Sequence, residues 1–288
     1  GATINAAGGG HNRGRNVYRI VGGTATLVGT GVANEDRLST PAVIATTRFP
    51  RPTFAETESL LVIAGGAEIG KIDIRPETFS APNFTNPNPD YHEMSFLGGC
   101  PPMASHVITN SSRILANDTQ LDQTKVRFSD ISQGIVDFSG HETWAPSPGA
   151  AGFFTAEARS DYITALAENT NDIFCFGTTS LQLFAPDGTV TFAPSITREA
   201  GNLAPYSVIK VDDKYMWVDH LTRIVSSDGR QWAILSGPIQ KTLDALTTPE
   251  DAYAYRYSDS FADCTVFRFE AGADTLVMQA GVGWGRWA

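Results

Sequence analysis

The stretch Asn171–Val190, NDIFCFGTTSLQLFAPDGTV, constrains the fold more than any other part of the chain. Ile173–Phe176 is an apolar run of strand formers that Gly177, Thr178 and Thr179 interrupt. Leu181, Leu183 and Phe184 begin a second run, stopped by Pro186, Asp187 and Gly188, and a third starts at Thr189. Runs this short, separated by tight-turn residues, leave no room for the crossover helix that parallel pairing needs. The stretch therefore predicts an antiparallel meander.

The form recurs. Val17–Val28 (VYRIVGGTATLV) reads as two strands about a Gly22-Gly23 turn, and Leu60–Ile74 repeats it around Gly65. Further strands are expected at Ser105–Asn110, Arg113–Ala116, Lys125–Ile131 and Tyr162–Ala167. Four follow in succession at Tyr206–Val211, Lys214–Asp219, Thr222–Ser227 and Gln231–Leu235, the last two joined by Asp228-Gly229. Tyr253–Tyr257, Cys264–Phe269 and Thr275–Gln279 close the series, for about sixteen short strands in all. One segment departs from the pattern. In Pro238–Leu246 (PIQKTLDAL), Ile239, Thr242, Leu243 and Leu246 fall on one helical face behind a proline that a first turn tolerates.

The clearest pair starts, near Arg113, Asp172, Lys214 and Asp263, recur every 40–60 residues or so, and repeats of roughly 40–50 residues with four strands each are the signature of propeller blades. The expected fold is all-β: a β-propeller of degenerate four-stranded blades, with long loops and one short helix near 238–246. Residues 1–16 are expected as an N-terminal loop or linker, and 17–288 as the propeller domain, incomplete at both ends. Pro76–Pro89 and Ser139–Ala151 read as long surface loops, rich in proline and turn formers. A β-sandwich is the rival, but at this length it would mean two domains.

Composition narrows the function. The net charge of −10 argues against a surface that grips nucleic acid, which needs clustered Lys and Arg. No window approaches ~18 consecutive apolar residues, so no membrane-spanning helix is expected, and Gly1–Asn16 lacks the apolar core of a signal peptide. Cys100, Cys175 and Cys264 are far apart and odd in number, which suggests neither a zinc site nor a disulfide framework. Cys175 and Cys264 are expected as small buried hydrophobes within strands.

The candidate chemical motifs resolve into ordinary structure. Gly65–Lys71 has the GxxxxGK spacing of a phosphate loop, but Ile72 stands where a hydroxyl is needed and a strand follows instead of a helix. His11, His92, His106, His141 and His220 have no metal-ligand spacing and are expected at the surface or in loops. Asp212-Asp213 reads as a solvated turn rather than an acid–base pair, and Asp259 with Asp263 is a further carboxylate pairing of the same kind. The glycosylation patterns at Asn83, Asn110 and Asn117 carry no meaning without a secretory signal. Tyr253, Tyr255 and Tyr257 share one strand face, either as a packed or interface surface or as a carbohydrate platform. No catalytic, cofactor-binding or metal-binding residue is assigned, and no cofactor.

Several stretches, in order, resemble the tail hub or nozzle of short-tailed bacteriophages, also called the packaged-DNA stabilisation protein. Arg15–Gly23 (RNVYRIVGG) looks like that family's early hairpin, and Arg127–Ile131 (RFSDI) like its FSDL strand. Phe154–Glu157 with Asp161–Ile163 is similar to the approach to its central meander, and Phe176–Phe184 (FGTTSLQLF) to the meander itself. Tyr215–Trp217, Ser227–Gly229 and Gly237–Ile239 resemble its later strands and short helix. The likeness runs from about Gly14 to Trp284 and is weakest over Ile44–Cys100.

The resemblance implies a non-enzymatic virion protein of the tail, made in the bacterial host cytoplasm. It implies a homo-oligomeric ring, six-fold, below the portal and its adaptor. Such a ring continues the DNA channel, retains packaged DNA, lets it exit on ejection and anchors tailspikes or fibres and the tail needle. Double-stranded DNA would pass without sequence recognition, and no membrane is involved. An acidic channel wall would repel phosphates and let DNA slide. The alternative is a propeller-fold virion protein that binds or cleaves glycans, with convergent carboxylates and aromatics in a pocket.

Overall fold

The computed structural model describes residues 2–5, 16–21, 24–30, 51–65, 68–75, 94–132, 137–156, 159, 161–169, 172–186, 192–258, 262–269 and 274–287, with backbone alone for the first three runs and for Met94 and Trp287. The fold is a β-propeller built from four-stranded antiparallel meanders. The chain divides into two compact units, Gly1–Thr155 with Gly188–Thr191, and Ala156–Asp187 with Phe192–Ala288.

The first unit opens on a three-stranded sheet of β1 (Ala2–Asn5), β2 (Asn16–Val21) and β3 (Thr24–Thr30). Two meanders follow. One holds β4 (Thr53–Glu56), β5 (Leu60–Ala64), β6 (Gly70–Asp73) and β7 (Met94–Phe96); the other holds β8 (Val107–Asn110), β9 (Arg113–Asn117), β10 (Lys125–Phe128) and β11 (Gly152–Thr155). Their facing sides make one core, with Leu60, Val62 and Ile69 against Val107, Ile114 and Trp144. The expectation of a loop over 1–16 needs correcting: Ala2–Asn5 is extended and pairs with β2 from Ala2↔Arg19 to Asn5↔Asn16. ATIN is too short and polar to read as a strand alone, and its partner supplies the ladder. The Gly22-Gly23 turn and the Pro76–Pro89 loop lie outside the described residues.

The second unit holds three meanders. They are β12 (Ile163–Glu168), β13 (Ile173–Gly177), β14 (Leu181–Pro186) and β15 (Phe192–Arg198); then β16 (Ile209–Val211), β17 (Lys214–Val218), β18 (Ile224–Ser227) and β19 (Trp232–Ile234); then, after helix α1 (Gln240–Asp244), β20 (Tyr253–Ser258), β21 (Asp263–Phe269), β22 (Asp274–Gln279) and β23 (Gly283–Trp287). The middle sheet is covered on both faces. Tyr215 and Trp217 of β17 join Phe174, Phe176, Leu181 and Leu183 in one core. Met216 and Val218, pointing the other way, join Phe267, Phe269 and Leu276 in another. A strand buried on both faces has no reason to alternate polar and apolar residues, which is why KYMWV and IFCFG read as continuous apolar runs.

The helix is shorter than its periodicity suggests. A 3-10 turn over Gly237–Ile239 leads into α1, and Thr247, Thr248 and Pro249 follow its end. Its apolar face is as expected: Leu243 is buried, with Ile239 and Leu246 beside it against the second core.

Candidate functional site

The motifs singled out in the sequence sit in ordinary structural places. Gly65 follows β5, Gly70 and Lys71 open β6, and the register Val62↔Lys71 makes this a hairpin; Gly66 and Ala67 lie outside the described residues. Asp212-Asp213 is the turn between β16 and β17, with Asp212 at φ 56°. The Asp212 carboxylate accepts from Arg256 Nη2 at 3.0 Å, and Arg256 also binds Asp263, whose carboxyl that hydrogen bond holds below its ordinary range. One guanidinium thus serves two carboxylates. Asp259, like the asparagine at 83, lies outside the described residues.

Cys175 and Cys264 are buried, and Cys100 is exposed. Burial raises the Cys175 thiol far above its ordinary range, so it is an inert hydrophobe. Asn110 and Asn117 are buried; the Asn117 amide oxygen accepts from the Ser105 and His106 N–H groups at 3.1 and 2.8 Å. Ser105 Oγ lies 3.0 Å from His106 Nδ1 and also accepts from Asn117 Nδ2 at 2.9 Å, which makes it part of the same bracket.

His106, His141 and His220 lie outside the strands, as expected, but His106 and His141 are buried there, at 5% and 2% exposure, rather than at the surface. His11 and His92 lie outside the described residues. Burial comes from neighbours distant in sequence, which local polarity does not reveal.

The three tyrosines do share one face of β20, with Tyr255 and Tyr257 exposed at 42% and 46%. Tyr253 and Tyr255 stack with centroids 6.2 Å apart and planes 28° apart.

Two features escaped the sequence reading. The first is a repeated clamp at the hairpin between the second and third strands of a blade. After β9, Asp118 accepts from the N–H groups of Gln120 and Leu121 at 3.1 and 2.8 Å, and from Arg127 Nε at 2.8 Å. After β17, Asp219 accepts from the N–H groups of Leu221 and Arg223 at 3.0 and 2.8 Å, and from Arg223 Nε at 2.8 Å. Both aspartates are buried, while Leu121 and Leu221 stand 76% and 55% exposed. At the corresponding turn after β13, Asp161 accepts from the Thr179 and Ser180 N–H groups at 2.7 and 2.9 Å. A buried carboxylate that gathers several N–H donors fixes a loop far more firmly than loop residues alone. The legible signal is an aspartate directly after an apolar strand, with an arginine four residues on in one case and nine in the other.

The second is the segment 137–144, in the long connection from β10 to β11. Just ahead of its 3-10 turn, Ser139–Glu142, the Asp137 carboxylate accepts from Ser139 N–H at 2.8 Å. Phe138 lies under two cations, with Lys71 Nζ 5.0 Å and the Arg75 guanidinium carbon 4.6 Å from its centroid. Lys71 also donates to Glu142. Arg75 is itself held by Asp73, at 3.0 Å from Nε and 2.6 Å from Nη2. His141 carries no hydrogen bond at Nδ1, and burial pushes its imidazole down to about 4.

Chemically, the carboxylates of these clusters accept from arginines, lysines or backbone N–H groups. Among the described residues no group of three or more His, Cys, Asp or Glu side chains has metal-holding geometry. What the geometry does supply is rigid loops that present side chains outward.

The chain matches no family model and no curated protein. Solved structures with a similar fold include BamB from Moraxella catarrhalis, at 12% identity and a TM-score of 0.49 over 99% of this chain and 68% of that one. The WD40 domain of Toxoplasma gondii coronin is similar at 10% identity and 0.48, over 100% and 68%. A quinonprotein alcohol dehydrogenase-like protein from Bacteroides thetaiotaomicron is similar at 11% and 0.46, over 96% and 62%. These likenesses concern the fold alone.

Proposed function

We propose that this chain is a structural subunit of the tail hub or nozzle of a short-tailed phage, assembling as a homohexameric ring below the portal and adaptor. On this reading the ring continues the DNA channel, retains the packaged genome and anchors the tailspikes or fibres. The observation that carries the reading is the order of the resembling stretches along successive strands. RFSDI starts within β10, FGTTSLQLF spans the β13–β14 hairpin, YMW lies in β17, SDG turns β18 into β19, and GPI begins the helical turn before α1. The loops pinned by buried aspartates fit a protein whose work is contact rather than chemistry. The net charge of −10 fits a channel wall that does not hold DNA.

The test is electron microscopy and native mass spectrometry of the purified chain, alone and with a portal–adaptor complex. A six-fold ring that joins the adaptor supports the reading; a monomer that stays apart from it at micromolar concentration sinks it.

A second reading, a glycan-binding or glycan-cleaving virion protein, rests on exposed Tyr255 and Tyr257. Binding to an oligosaccharide array that Tyr255→Ala abolishes would favour this second reading.

A further inference from the structure

We propose that segment 137–144 is an acid-released strap, held on β6 and the 97–99 turn at neutral pH and freed when the buried imidazole of His141 takes up a proton. The attachments lie on either side of His141. Phe138 sits against the cations Lys71 and Arg75. Glu142 accepts from Lys71 and from the Gly98 N–H at 3.4 Å. Trp144 is buried in the core between the two four-stranded sheets of its unit. Asp130 N–H donates to the Thr143 carbonyl at 2.9 Å.

The fit leaves no slack. A Cβ on Gly99 would stand 1.6 Å from the Glu142 carbonyl oxygen, and one on Gly140 would stand 2.0 Å from that of Ile131.

The charged groups on the elements packed here are Lys71, Asp73 and Arg75 from β6 and the residues after it, Arg113 from β9, Asp130, and the strap's own Asp137 and Glu142. Each is engaged elsewhere. Lys71 binds Glu142, Asp73 binds Arg75, and Asp137 accepts from Ser139. Arg113 donates to the Ser129 and Ala150 carbonyls, both at 2.7 Å, with Asp130 at 3.7 Å. None of these carboxylates is bonded to His141, so no anion stands ready to hold a second ring proton. A cation formed there is buried, with none of these carboxylates bonded to it, in a segment whose Phe138 already faces the cations Lys71 and Arg75. Relief comes from moving the ring to water, and the ring cannot move without carrying Phe138 and Glu142 off their partners. Release uncovers Lys71, Arg75 and the apolar side of Phe138.

Hydrogen–deuterium exchange of the full chain at pH 7 and pH 4.5, corrected for intrinsic rates, tests this. The amides of Gly98, Asp130, His141 and Thr143 are expected to lose at least tenfold protection at pH 4.5, while those of β13 and β17 keep theirs. His141→Phe is expected to hold the strap closed at both values. Equal protection at the two pH values in the wild type overturns the proposal. So does the same acid loss in His141→Phe, which would assign the release to the carboxylates. If that variant does not fold, the wild-type ring is titrated by NMR. Strap exchange that follows the His141 midpoint supports the proposal, and ring titration with the strap still protected overturns it.

Discussion

Asp219 and Arg223 close a five-residue turn on themselves: the Asp219 carboxylate, fully buried, receives Nε and Nη2 of Arg223 at 2.8 and 2.5 Å, and its other oxygen holds two backbone N–H groups. Removing the carboxylate leaves those donors without their acceptor and the arginine without its counter-charge. Asp219→Ala is expected to destabilise the protein by about 3 kcal/mol, near the lower end of what breaking a buried pair costs. Asp219→Asn, which keeps one acceptor oxygen, is expected to lose roughly half as much. Urea unfolding at constant m-value measures both, and equal stability of Asp219→Ala and wild type would refute the clamp.

His141 gives stability a pH dependence whose sign follows from burial. Its imidazole is held down to about 4 in the folded chain, against an ordinary value of 6.5. The unfolded chain therefore binds the proton first as pH falls. The contribution is fully present above pH 6.5 and is lost as pH drops from there toward 4, amounting to about 3 kcal/mol by linkage. His141→Phe is expected to flatten the stability curve over that window. A wild-type curve that is level between pH 6.5 and 4.5 would contradict the assignment.

What was legible in the sequence follows burial on both faces. The starts near Arg113, Asp172, Lys214 and Asp263 are the beginnings of β9, β13, β17 and β21, the second strand of four successive blades. RILAN and IFCFG are buried throughout, so their apolar runs announce them. Of the fourth strands, β19 was expected at Gln231–Leu235, whereas β23 and most of β15 escaped because they carry little burial. β15, FAPSITR, buries only Phe192 fully and contains Pro194, and much of β23, GWGRW, is exposed glycine and arginine. Asp118, Asp219 and His141 escaped for the opposite reason. Each is polar, and its burial is imposed by chain that folds back over it. The resembling motifs mark strands and turns, not loops, so they say little about the contact surfaces.

Three glycines rank themselves by what a methyl group would meet. At Gly99, with φ +73°, the new Cβ would stand 1.6 Å from the Glu142 carbonyl oxygen, which is backbone and cannot swing aside. Gly99→Ala is expected to cost about 3 kcal/mol or more and to loosen the strap. Gly149 also has positive φ, at +82°, but open space around it, so Gly149→Ala is expected to cost about 1–2 kcal/mol. Gly237 has open space and an ordinary φ, so Gly237→Ala is expected to be neutral or to stabilise by about 0.5 kcal/mol. Thermal unfolding of the three variants should reproduce that order, and a Gly99→Ala midpoint at or above that of Gly149→Ala would discredit the close approach.

Leu121 and Leu221 separate assembly from folding. Each is mostly exposed, and each has its backbone N–H fixed by a buried aspartate, so its side chain is displayed without packing on its own blade. The double change Leu121→Asp with Leu221→Asp removes almost no buried area and is expected to shift stability by less than about 0.5 kcal/mol for each site. If the chain works as a ring subunit, the ordered loops carry contacts, and apolar side chains on ordered loops are where such contacts gain most. The double variant is then expected to fold normally, with an unchanged unfolding midpoint, yet to need at least tenfold more protein to form the ring in native mass spectrometry. Ring formation at the wild-type concentration would remove these loops from the interface, and a large fall in the unfolding midpoint would mean that the leucines belong to the fold instead.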